Sequence, residues 1–171
     1  MNQMSRTIFI LSLSVVMTTA LPAVSAWADT APQIRIDVPV TIKSAKVVFN
    51  MDHAAFSGDA PVGLKHMSLM VNRFQQPGKS LDLVGVFHGE AGYMLLNDNA
   101  YNKVRKITTG NPYTDMIQDL IKQGVQIEEC AVTMKANNWG NDDLLPGVKV
   151  NAGALGRIVQ LVQEGYVMIQ P

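Results

Sequence analysis

Twice in this chain an amphipathic helical pattern ends at a glycine and is followed at once by a short β-rich stretch. That repeated order narrows the available folds more than any other feature. Met116, Ile117, Leu120 and Ile121 share one helical face ahead of Gly124, and Leu155, Ile158, Val159 and Val162 do the same ahead of Gly165. Apolar residues three and four apart fall on one side of a helix, and a glycine just past the last turn suits the left-handed position that ends many helices. The stretches Val125 to Glu129 and Tyr166 to Gln170 then follow as strands. Two earlier apolar runs, Lys46-Val47-Val48-Phe49 and Leu81-Asp82-Leu83-Val84-Gly85-Val86-Phe87, have the pattern of buried strands. Between them Leu64, Met67, Met70, Val71 and Phe74 line one face of a helix opened by Asp59 and Pro61. Strands alternating with helices predict right-handed crossovers, and hence a three-layer α/β/α domain on a mostly parallel sheet of about five strands.

Three boundaries follow: residues 1–28, residues 29–43 and residues 44–171. In the first, Arg6 precedes the uncharged run Ile8 to Ala20, and Ala26-Trp27-Ala28 stands before Asp29. This is the layout of a secretory signal peptide cleaved after Ala28, which predicts a periplasmic or secreted protein with no stable membrane insertion after cleavage. Left uncleaved, Ile8 to Ala28 would just span a bilayer as an anchor. In the second, Ile34, Ile36, Val38 and Val40 alternate with polar residues, but Pro39 interrupts them, so the segment is an arm or an edge strand. The third is the α/β domain. Within it Glu90 to Tyr113 is less regular, with a helix expected near Ala91 to Leu96 and a polar run from Asn97 to Lys103 that suits a lid or an oligomer contact.

Composition removes several classes of function. Fourteen basic residues balance 14 acidic ones, so no basic surface points to nucleic acid as a partner. A single cysteine among 171 residues excludes an intramolecular disulfide, a C-x-x-C redox pair and a Cys-based zinc finger.

In open parallel sheets, ligands collect at the strand C-termini. The residues there are Asn50-Met51-Asp52-His53, His88-Gly89-Glu90 and Glu128-Glu129-Cys130. Two of three histidines and the only cysteine therefore fall on one edge, while His66 shares a helix with Lys65 and Arg73 and belongs to solvent. The segment Ala131 to Ala136 can begin a helix, whose start would lower the Cys130 pKa; Glu128 and Glu129 would raise it. A structural cysteine at a strand end fits the same residues. His53, His88 and Cys130, with Asp52 or Glu129, lack metal-motif spacing, and Gly89 and Gly92 lack the rest of a P-loop. Neither a metal nor a cofactor is expected. Trp139, in a polar loop just beyond Cys130, suits either a pocket cover or a subunit contact.

The segments Gly124 to Met134, Asp142-Asp143-Leu144-Leu145-Pro146-Gly147-Val148 and Gln163-Glu164-Gly165-Tyr166, with Lys46 to Asn50, Asp52-His53 and Val86-Phe87-His88-Gly89, resemble the DsrE/DsrF-like family. The resemblance covers most of Ser44 to Pro171. It implies a compact α/β/α fold, assembly as trimers or hexamers, and sulfur carried as a persulfide on Cys130; for such a carrier His88 or His53, on the same strand-end edge, would serve as proton-transfer partner. The relay proteins it resembles work in the cytoplasm, so an exported member would meet other sulfur donors and acceptors, whether proteins or small sulfur compounds. The expected function is that of an exported sulfur carrier or sulfurtransferase-like protein. The alternative is a non-enzymatic module that binds a small ligand or partner, with Cys130 structural.

Overall fold

The computed structural model describes residues 32–171; the expected signal segment, residues 1–28, lies outside the described residues. The chain divides at Pro39 into two units, 1–39 and 40–171. In the first, the described residues belong to no strand, and Ile34, Ile36 and Val38 stand exposed.

In the second unit five strands form one sheet: β1 (Ser44–Met51), β4 (Ser80–Phe87), β5 (Gln126–Cys130), β6 (Lys149–Asn151) and β7 (Val167–Ile169), in the order β6-β5-β4-β1-β7. Every pairing in it is parallel. A two-residue hairpin, β2 (Phe56–Ser57) with β3 (Ala60–Pro61), leads into α1 (Val62–Phe74). The remaining helices are α2 (Asp98–Arg105), α3 (Thr114–Lys122), α4 (Ala131–Asn137) and α5 (Ala154–Gln163).

The two faces of the sheet are covered unequally. Val47, Phe49, Leu83, Phe87 and Ile127 pack with Leu64 and Met67 of α1, Ile117 and Leu120 of α3, and Met134 of α4 in one large core. On the other face Val48, Val84, Val86 and Cys130 meet Ala154, Ile158 and Leu161 of α5, with the partly buried Tyr166 beside them. Successive strand residues alternate faces, so Glu128 and Cys130 look toward α5, whereas Ile127 and Glu129 look toward the large core.

Both glycines that the sequence singled out end helices in the left-handed region, Gly124 at φ +88° and Gly165 at φ +92°. At each, the next residue donates its N–H back into the last turn: Val125 to the Leu120 carbonyl and Tyr166 to the Leu161 carbonyl, both at 3.0 Å. This Schellman closure turns the chain directly into the following strand. A methyl at Gly124 would meet nothing within 4 Å, so only backbone strain opposes it. Gly124→Ala is expected to destabilise the fold by about 1–2 kcal/mol, read as a lower urea midpoint with unchanged m-value.

Three segments differ from the sequence expectation. The polar run 97–103 is no open lid; it holds α2, because the Asn97 side chain caps it by accepting the Ala100 N–H at 3.0 Å. The buried Asn111 anchors the region, donating to the Met94 and Leu96 carbonyls at 2.8 and 2.6 Å. The helix expected at 91–96 is a 3-10 helix over Gly89–Leu95. Strand β6, Lys-Val-Asn, was missed because three residues are too few to show a period.

Candidate functional site

Met51 pairs with Phe87, Phe87 with Glu129, and Cys130 with Asn151. One further step of that register sets Asp52, His88, Cys130 and Asn151 in a single row across four strand ends. His88 continues the extended backbone, at φ −162° and ψ 177°, and its N–H still bonds the Met51 carbonyl at 2.9 Å. The side chains of Asn50, His88, Glu128 and Cys130 therefore share the α5 face, with His88 one strand spacing from Cys130, or about 5 Å.

Cys130 is 3% exposed and lies where two helices begin. It occupies the N-cap position of α4, and its Sγ accepts the N–H of Ala154, the first residue of α5, at 3.3 Å. Burial opposes ionisation of the thiol. The N–H groups of Thr133, Ala154 and Val132, joined by the Thr133 hydroxyl, outweigh it and hold the thiol below its ordinary range. Thr133 Oγ1 already accepts the Gly89 N–H at 2.9 Å, which leaves its own proton for the sulfur. Gly89 is at φ +56°, and a Cβ there would stand 2.8 Å from the Asp52 carbonyl oxygen, so only glycine lets this turn close.

The half-buried His88 makes no hydrogen bond to the sulfur among the described residues. Its Nε2 bonds Asn50 Oδ1 at 2.7 Å, which makes Nε2 the protonated nitrogen and leaves Nδ1 as acceptor. Burial lowers its pKa, partly offset by the Asp52 charge, so the ring is neutral at neutral pH. From Asn50 the chain of bonds runs through Gln170 to Asp52 and on to His53. Asp52 is held below the usual carboxylate range, first by the His53 bond. His53 itself is exposed and joins the row only through Asp52.

A second network lies beneath the sulfur on the α5 side. Arg157 Nε lies 3.0 and 3.1 Å from the two oxygens of Glu128, its Nη2 lies 2.9 Å from Oε1, and Asn151 donates to the same carboxylate at 3.2 Å. This pair pins the first turn of α5 against β5, which fixes Ala154 over Cys130.

The structure thus gathers His88 and Cys130, links His53 to them indirectly, and leaves Trp139 packed against the large core on the opposite face. Gln170, Thr133, Ala154 and Arg157 were missed. Only Thr133, three residues after a capping position, carried a sequence signal. Among the described residues no cluster of three or more His, Cys, Asp or Glu could hold a metal ion.

A family model described as the DsrE/DsrF-like family matches residues 40–171. Among solved structures, a protein of unknown function, MTH1491 from Methanobacterium thermoautotrophicum, superposes with a TM-score of 0.60 at 23% identity, covering 74% of this chain and 99% of that one. The ychN protein from E. coli superposes at 0.55 and 19% identity, with the same 74% and 99% coverage. These likenesses show the fold. No curated protein matches the chain.

Proposed function

The chain belongs to the DsrE/DsrF-like family, whose fold is related to sulfur relay, and on that premise we propose that it is an exported sulfur carrier working through Cys130. The observation that carries the reading is the convergence of two helix starts on one sulfur, with the Ala154 N–H at 3.3 Å from Sγ. Such a setting favours an anion, first a thiolate and then a persulfide. The Cys130 thiolate attacks the outer, sulfane sulfur of a donor such as a polysulfide or thiosulfate. A sulfur–sulfur bond forms at Cys130 while the donor's own bond breaks, and the leaving group departs with its electron pair. An acceptor thiolate then attacks the outer sulfur and releases Cys130 as thiolate, so no outside oxidant or reductant is needed. His88, neutral with Nδ1 free, takes the proton of the entering thiol or persulfide and returns it to the leaving group.

Export to the periplasm or the cell exterior is supported by the layout of residues 1–28, which is that of a signal peptide. Self-association is supported by the outer side of α5, where Leu155, Val159 and Val162 are exposed, and by the exposed Val132 beside Gly153 at the start of that helix. Such a patch marks an interface, and we assign it to a trimer or hexamer of this chain. Carrying Leu155→Glu and Val159→Glu together, the mature protein is expected to elute as a single chain in light-scattering chromatography. An unchanged assembly mass would refute the assignment.

The burial of Cys130 favours a second reading, a binding module with a structural cysteine. Thiol labelling separates the two. A carrier is labelled rapidly in the folded state, whereas a structural cysteine is labelled only after denaturation.

A further inference from the structure

Glu129 is a buried acid that the steps above do not use. It is 0% exposed, and its side chain lies on the sheet face opposite Sγ. Its Oε1 accepts the N–H of Cys130 itself at 3.1 Å. Its Oε2 has no hydrogen-bond partner among the described residues. The 3-10 helix closes over it so tightly that a Cβ on Gly92 would stand 2.9 and 3.2 Å from the two oxygens. An ionised carboxylate would want donors at both oxygens and finds one, whereas a carboxylic acid needs less.

Among the described residues no cation answers it. The residues around Glu129 are Phe87 of β4, Val150 of β6, Gly92 of the 3-10 helix and Thr133 of α4, none of them charged. The titratable groups on or next to those elements are Asp82, His88, Glu90, Tyr93, Lys149 and Lys135. Of these Asp82, Glu90, Lys149 and Lys135 are exposed, Tyr93 packs its ring against Tyr101 and Tyr113, and His88 lies on the other face. On β5 itself Glu128 is spent on Arg157. The charge that bears on Glu129 is that of Cys130.

We propose that Glu129 is a neutral carboxylic acid coupled to Cys130, a positioning residue whose ionisation sets the alkaline limb of the thiol's reactivity. Burial pushes the carboxyl up to about 8, the Cys130 N–H opposes that and the thiolate charge adds to it. The two groups then lose their protons as a pair. The second loss leaves a thiolate beside a carboxylate, more basic and so more nucleophilic. With coupling of about one pH unit and a Brønsted coefficient of about 0.4–0.5, alkylation of the thiolate rises roughly threefold as Glu129 ionises.

The proposal rests on Cys130 reacting as a thiolate, and the test keeps the two apart. Alkylation of the mature protein by iodoacetamide, a neutral reagent, is followed on both sides of pH 8 in the wild type and in Glu129→Gln. The wild type is expected to show two steps, one of them near pH 8, and the variant one step. Superimposable profiles would overturn the proposal. In parallel, the infrared band of a protonated carboxylic acid is followed in the wild type and in Glu129→Gln. A band at neutral pH that disappears in alkali and is missing from Glu129→Gln supports a neutral Glu129; its absence overturns it. A thiol inert in both proteins would sink the carrier reading, and the infrared comparison would still decide the state of Glu129.

Discussion

Glu129→Gln is expected to make the protein more stable in mild alkali and to leave it nearly unchanged in acid. The sign follows from linkage. In the unfolded chain the carboxyl titrates near its ordinary value of 4.5, and in the folded protein near 8. A folded pKa raised in this way contributes stability that is fully present below the unfolded value and is lost as pH rises through the folded one. At about 1.4 kcal/mol per pH unit, that span is worth roughly 3–5 kcal/mol. Glutamine keeps an oxygen for the Cys130 N–H and puts an uncharged NH2 where the acid has its O–H, so it carries no such dependence. The difference corresponds to roughly 10 °C in Tm for a domain of this size. Thermal melts of both proteins across this pH range are expected to coincide at the acid end and to diverge toward pH 8. Parallel curves throughout would mean that Glu129 is already charged in the fold.

The second large effect is on transfer itself. Cys130→Ser is expected to reduce donor-to-acceptor sulfur transfer to the uncatalysed background, because a serine hydroxyl forms no persulfide. The fold should survive the change. The Ala154 N–H that bonds Sγ finds an oxygen acceptor in its place, and the loss should be within about 1–2 kcal/mol. Transfer kinetics and a melt on one preparation check both halves. Undiminished transfer with an intact fold would remove Cys130 from the mechanism.

What could be read from the sequence was whatever repeats or punctuates. Gly124 and Gly165 end their helices as the helix-glycine-strand order implies, because positive φ is a local demand that one residue type meets cheaply. The parallel sheet followed from that order, and the strand-end edge followed from the sheet. The convergence at Cys130 did not. Ala154 is 24 positions away, and its arrival depends on β6, too short to be seen, and on the Glu128–Arg157 pair across the interface. The sequence set Glu128 and Glu129 together as neighbours that would raise the thiol's pKa. In the fold, alternation sends them to opposite faces, where Arg157 neutralises one and burial protonates the other. His53 and His88 were likewise equals in sequence. The extra strand step at His88 brings it onto the row, and His53 falls beyond it, in solvent.

The most direct test of the central claim is the intact mass of the wild-type protein, purified without reductant and exposed to a polysulfide or thiosulfate donor, with the adduct located by peptide mapping. A gain of whole sulfur atoms on the peptide containing Cys130, removed by reductant, is the result expected of a carrier. An unmodified thiol under every donor would contradict it and leave Cys130 as a residue of the core.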